Sequence, residues 1–179
     1  VMSTSLVNLL ELTRVFKIPK FVYISSSMVY GDFEDGVRED AVCKPQGQYG
    51  IMKLMGEDLV RDYTKRGCFD HTIIRPSAVY GEYDVEDRVV SKFVLAALRG
   101  QSLKVNGATE RLDFTHVDDT SLGIVKAVLS QNAVNKTYNV TRGVGRSLEE
   151  AANMIVDIVE LHLWQRKQYF QFGHQDLNQ

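Results

Sequence analysis

The sequence predicts an α/β protein built on a parallel sheet with helices on both faces. Three observations carry that expectation. Short β-branched apolar runs occur of the kind buried on both sides of a sheet; helix-period apolar stripes alternate with them; and the connections are long enough to return the chain to the same sheet edge. Leu6, Leu9, Leu10 and Phe16 recur at near-helical spacing and Pro19 closes the pattern, so the chain opens in a helix. Phe21-Val22-Tyr23-Ile24 reads as the first buried strand and runs into Ser25-Ser26-Ser27. The loop after a parallel strand faces the crevice in which α/β folds bind ligands, which places these serines well. Met52, Met55, Leu59 and Tyr63 mark a second helix from Tyr49 to Lys65, ended by Gly67. His71 to Ile74 reads as a strand stopped by Arg75-Pro76, and Val89 to Leu98 as a third helix stopped by Gly100.

Residues 1–102 thus form a first portion, and residues 103–162 read as a small α+β lobe interleaved with it in space. Leu103-Lys104-Val105, the turn signal Asn106-Gly107 and Arg111 to Val117 suggest extended segments around a turn. Asp118 or Asp119 can cap the helix that follows to Leu129, Thr137 to Val140 is a short strand, and Ser147-x-x-Glu150 is a capping box before a helix running past Ile158. Beyond His162, glutamines scatter among aromatics without a period, and residues 163–179 read as a poorly ordered tail.

Composition narrows the function classes. The 179 residues are 44% hydrophobic and 25% charged, enough for one sizeable core. Net charge is -2, from 21 Lys+Arg against 23 Asp+Glu, with no basic block to neutralise a phosphate backbone, so nucleic acid is not expected as a partner. No apolar run approaches the ~20 residues of a bilayer span, and the opening residues lack the sections of a signal peptide. No membrane association is expected, and the reading is of a cytoplasmic protein. Cys43 and Cys68 lack C-x-x-C spacing and read as buried or incidental thiols.

The chemistry centres on Tyr49 and Lys53. Four positions apart at the start of a helix, they project from one face, and an ammonium beside a phenol favours the phenolate and makes a general base of it. The pair follows the strand-end serines by one loop, so a hydroxyl, a phenol and an ammonium can meet at one crevice. His116, Asp118 and Asp119 invite a metal reading, but helix capping explains an aspartate there and no metal is expected.

Four motifs in order extend this reading: Tyr23-Ile24-Ser25-Ser26-Ser27-Met28-Val29-Tyr30-Gly31, Tyr49-Gly50-Ile51-Met52-Lys53, Ile74-Arg75-Pro76-Ser77-Ala78-Val79-Tyr80-Gly81, and Asp113-Phe114-Thr115-His116-Val117-Asp118-Asp119. Together they resemble the extended short-chain dehydrogenase/reductases, the NAD-dependent nucleotide-sugar epimerases and dehydratases, over about residues 5–160. The resemblance implies the C-terminal portion of a Rossmann-like sheet plus the small substrate-binding lobe. It makes Tyr49 the acid/base, Lys53 the residue that binds nicotinamide ribose and tunes the phenol, and Ser26 the hydroxyl that orients substrate. Ser25, Pro76 and Ala78 fall beside the cofactor, and Ser27, Ala78, Val79 and Arg111 beside the sugar nucleotide. An alignment shifted by one position exchanges the roles of the three serines; Ser25 and Ser27 also suit turn-forming hydrogen bonds. Many relatives carry Asn where Ala78 stands. Arg111 either pairs with the nucleotide diphosphate or is a plain exposed strand arginine.

The resemblance further implies NAD or NADP as cofactor, a nucleotide-diphosphate sugar as substrate, and a homodimer through helical segments 3–16 and 49–65. The family's glycine-rich strand-to-helix turn is not found, since the first glycine is Gly31, so the sequence reads as a fragment lacking the cofactor-binding half and inactive or weakly binding by itself. Relatives that eliminate water carry an Asp-Glu pair where Ser27 and Met28 stand, which disfavours a 4,6-dehydratase. A 4-epimerase is preferred over a keto-sugar reductase or a decarboxylase; a non-catalytic interaction module is the competing class.

Overall fold

A computed structural model describes the backbone of residues 2–32, 35–85 and 87–172, and the side chains of these apart from residues 2, 3 and 164–172. The chain divides into two compact units: residues 1–81 with 113–145, and residues 82–112 with 146–179.

The first unit is a three-stranded parallel sheet between helices. Helix α1 (Met2–Val15) leads into β1 (Lys20–Ile24), α2 (Gly47–Lys65) and β2 (Asp70–Pro76). Helix α4 (Val117–Leu129) precedes β6 (Lys136–Val140), and the sheet order is β1-β2-β6. Register is fixed along both seams, with Tyr23 opposite Ile73 and Ile74 opposite Tyr138. Alternation along the strands sorts the faces. Phe21 and Tyr23 pack with Leu10 of α1 and Val60 and Tyr63 of α2, while Lys20 and Thr72 point the other way. Lys20 Nζ reaches the Ala127 carbonyl at the end of α4 at 2.7 Å, and Thr72 donates to the Ala133 carbonyl at 2.7 Å. A minor parallel pair, β3 (Val79–Tyr80) with β5 (Thr115–His116), sits just past the end of β2.

The second unit packs α3 (Val89–Leu98) against α5 (Leu148–Phe172) and pairs β4 (Arg111–Leu112) antiparallel with β7 (Arg146–Ser147). The capping box opens α5 as the sequence implied. Glu150 N–H donates to Ser147 Oγ at 3.0 Å, and Ser147 N–H to Glu150 Oε2 at 2.8 Å.

Three expectations are revised, and one pairing that the sequence leaves open is supplied. Within 103–117, β4 pairs with β7 and β5 with β3, so each segment finds its partner far along the chain. A cut at residue 102 does not follow the packing, since α3 lies with α5 and 113–145 supplies β6 to the main sheet. The cap of α4 is neither Asp118 nor Asp119 but His116, whose Nδ1 accepts the Asp118 N–H at 3.3 Å; the two aspartates lie in the first helical turn instead. The expected tail begins inside α5, which continues helical through Phe172; residues 173–179 lie outside the described residues.

Candidate active site

The chain leaves β1 through a tight turn. Ser26 caps a short 3-10 turn over Ser27–Val29, its Oγ accepting the Met28 N–H at 3.2 Å. Gly31 then takes a left-handed φ of 77°, and the Lys44 carbonyl lies where a Cβ would stand. The loop returns to α2, whose N-terminal turn settles on the serine turn. At Gly50, next to Tyr49, an added Cβ would lie 2.5 Å from the Met28 carbonyl oxygen. A side chain there would therefore lever the start of α2 away from the turn that carries Ser26.

Tyr49 is 51% exposed, with its ring at the start of α2. One turn later, Lys53 Nζ lies 5.6 Å from the Tyr49 ring centroid and 5.5 Å from that of Tyr23, and donates to the Ile24 carbonyl at 2.8 Å. Burial pushes the Lys53 pKa down from its ordinary value. An ammonium has three donors, so after Ile24 it has two more to offer a ligand hydroxyl.

Beneath this pair lies a buried polar network that sequence reasoning did not single out. Glu57, one further turn along α2, is 0% exposed. Its Oε1 accepts from Ser25 Oγ at 2.6 Å and from Arg75 Nε at 2.8 Å; its Oε2 accepts from Arg75 Nη2 at 2.7 Å and Arg61 Nη2 at 2.8 Å. The two-point Arg75 pairing joins α2 to β2 with fixed geometry. Arg75 continues outward: Nη1 donates to the Tyr30 hydroxyl at 2.7 Å and the Glu39 carbonyl at 3.1 Å, and the guanidinium stacks on the Tyr30 ring at 4.8 Å. Tyr30 in turn donates to Asn139 Oδ1 of β6 at 2.8 Å, and the Asn139 N–H donates to Glu39 Oε1 at 2.9 Å. The signal was present: Tyr49, Lys53, Glu57 and Arg61 recur every four residues along one flank of a helix. Burial alone would raise the Glu57 pKa, but hydrogen bonds from Arg75 and Ser25 and the charges of Arg75 and Arg61 outweigh it and hold the carboxyl below its usual value.

The other candidates scatter more widely. Ser25 is buried with its hydroxyl taken up by Glu57, so a cofactor contact there would fall to its backbone. Ser27, also buried, forms the 3-10 turn. Pro76 ends β2 opposite Val140; the Ala78 carbonyl accepts the Thr115 N–H at 3.4 Å, and Val79 pairs with Thr115, so this loop is wired to β5. Arg111 belongs to the second unit, which contains a cavity of about 350 Å³ walled by Val89, Phe93, Leu103 and Leu148, with Lys92 and Lys104 among its lining. His116 stands edge-on to Tyr80 at 5.4 Å, and among the described residues no three His, Cys, Asp or Glu side chains gather closely enough to hold a metal.

The family model described as the NAD dependent epimerase/dehydratase family matches residues 3–141. The chain belongs to this family. It is 32% identical to the UDP-glucuronic acid 4-epimerase of Bacillus cereus, solved in complex with UDP-glucuronic acid and NAD; that structure superposes with a TM-score of 0.78, covering 84% of this chain and 48% of the other. An uncharacterized UDP-glucose epimerase of Bacillus subtilis is 29% identical over 155 residues, 86% of this chain and 49% of its own length. The UDP-glucuronate 4-epimerase of Thermodesulfobacterium geofontis is 26% identical over 178 residues, 97% of this chain and 54% of its own. The family member described here thus spans about half the length of these relatives.

The buried pair generates a stability test. Arg75→Met leaves a carboxylate buried without its main counter-charge and is expected to cost about 3–5 kcal/mol in urea unfolding, while adding Glu57→Leu restores part of that loss. An unfolding midpoint unchanged by Arg75→Met would show that the pair does not hold α2 to β2. Because folding lowers the Glu57 pKa, its contribution is complete above the unfolded carboxyl value of 4.5 and drains away as pH falls through the lowered folded value. Acid unfolding of the parent should therefore be steeper than that of the Glu57→Leu/Arg75→Met double variant.

Proposed function

We propose that this chain carries the catalytic half of a nucleotide-sugar 4-epimerase. The observation behind the reading is the Tyr49–Lys53 pair at the start of α2, with the ammonium alongside the phenol ring and tied to the carbonyl of Ile24, two residues before Ser26. Tyr49 removes a proton from a sugar hydroxyl and returns it. Lys53 places a positive charge beside the phenol ring, although burial weakens that ammonium's own hold on its proton. Ser26 donates a hydrogen bond to the oxygen on which charge changes. NAD, when bound, supplies the hydride acceptor and donor at the sugar carbon. The residues present fit its nicotinamide-ribose end: Lys53 has donors to spare for ribose hydroxyls, and the Ser25 backbone, Pro76 and Ala78 sit at neighbouring strand ends. NADP would engage these same groups.

Ser27, Ala78 and Val79 are assigned to the sugar and Arg111 to the diphosphate. Relatives named for UDP-glucose and UDP-glucuronate make uridine diphosphate sugars the first substrates to test. Epimerisation needs only the Ser26, Tyr49 and Lys53 set together with tightly held NAD, whereas elimination of water needs a further acid and base where Ser27 and Met28 stand.

Supplied with a glycine-rich cofactor-binding half, joined at the N-terminus or added as a second chain, the protein should interconvert UDP-sugar 4-epimers. Tyr49→Phe should reduce kcat by about 10²–10⁴-fold. Turnover unaffected by that change would remove Tyr49 as the base, and no turnover in any form would favour an interaction module.

A homodimer through α1 and α2 completes the proposal. Leu9, Leu12 and Val15 of α1 and Phe16 just after it are exposed, as are Ile51 and Met55 on the outer face of α2, a combination more apolar than solvated helices usually show. Sedimentation equilibrium should report a dimer that Met55→Glu shifts toward monomer; a parent monomeric at every concentration would remove this contact.

A further inference from the structure

The four-residue series on α2 continues beyond the pair assigned to chemistry. Lys53 and Glu57 grip consecutive residues at the end of β1: Nζ holds the Ile24 carbonyl at 2.8 Å, and the Glu57 carboxylate holds Ser25 Oγ at 2.6 Å. The next residue is Ser26. These two grips differ in stiffness. A lysine reaches its carbonyl through four flexible methylenes and can follow a moving strand. Glu57 cannot, because Arg75 clamps both its oxygens from β2 and is itself stacked on Tyr30. Ser25 is 2% exposed, so a hydroxyl released from Glu57 would be left buried without that partner.

We propose that Glu57, oriented by Arg75, is a positioning residue that fixes the register of α2 along the end of β1, and through it the setting of Tyr49 against Ser26. The inference rests on the Ser26–Tyr49–Lys53 reading above and adds to it the group that holds that set in place. Glu57 touches neither substrate nor cofactor; it acts through Ser25.

Ser25→Ala tests this directly, because it removes the grip and leaves the buried ion pair intact; Glu57→Gln is the second variant. Two measurements separate the positioning role from the functional reading. On the chain itself, hydrogen exchange should quicken about tenfold at the Ser25 and Met28 amides, which the Ile74 carbonyl and Ser26 Oγ hold, while amides in the middle of β2 and in α4 keep their protection. In the form completed with a cofactor-binding half, Ser25→Ala should lower kcat about tenfold with KM for sugar nucleotide unchanged. Unchanged exchange, or quickening spread evenly over the chain, overturns the proposal. A raised KM with kcat intact also overturns it, making Ser25 a binding residue. Should Tyr49→Phe leave turnover untouched, the catalytic reading falls, and the exchange measurement still decides whether Glu57 sets the register.

Discussion

A carboxylate with no exposure to water constrains everything around it. Taking Glu57 out of solvent is tolerable only while guanidinium groups and a hydroxyl surround it, and the partners come from separate parts of the first unit: Ser25 from the end of β1, Arg75 from β2, Arg61 from its own helix. The apolar contacts of Val60 and Tyr63 with Leu10 and Phe69 draw α2 onto the sheet but tolerate sliding by a fraction of a turn. The ion pair does not, since its two-point geometry accepts one setting. Apolar burial supplies attraction here, and charge supplies register.

That division explains what could be read from the sequence. Local pattern specified α1, β1, α2, β2 and α3 to within a few residues, and the start but not the end of α5, because each declares itself through its own periodicity and breakers, as Ser147 and Glu150 do at the start of α5. Candidate chemistry was equally local: Tyr49 and Lys53 are neighbours on one helix, and Ser26 follows a recognisable strand. Glu57 escaped notice because its meaning depends on Arg75, 18 residues away, and on burial that no local pattern reports. The β4–β7 pairing was left open and the two-unit division was missed for the same reason, since both join residues about 35 positions apart or more. His116 replaced the expected aspartate cap through local geometry: α4 begins at Val117, which moves both aspartates inside the first turn.

Seen through the network, Tyr30 and Asn139 also gain a role. Tyr30 lies one residue beyond the 3-10 turn, Asn139 lies on β6, and Glu39 lies in the loop that leads to α2; Arg75 or its partners touch all three. Val37 and Glu39 of the loop that leads to α2 are thus tied to Arg75 of β2 and Asn139 of β6. A strand end in a parallel sheet is where an α/β protein exposes its ligand crevice, and a loop fixed there shapes the crevice before any ligand arrives.

The two flanks of α2 divide the labour of a single helix. Tyr49, Lys53, Glu57 and Arg61 follow one line, and Ile51, Met55, Asp58 and Asp62 follow another turned away from the sheet, lining a shallow groove of about 420 Å³ with Pro45 and Leu59. The same rigid body that carries the phenol therefore presents the surface proposed to meet a second copy. Because Glu57 pins that body to β1 and β2, pressure on the outer face is resisted by a buried ion pair before it reaches the start of the helix. A pairing of two such chains through α2 can then form without disturbing Tyr49, whose setting is decided within one β1–α2–β2 unit of one polypeptide.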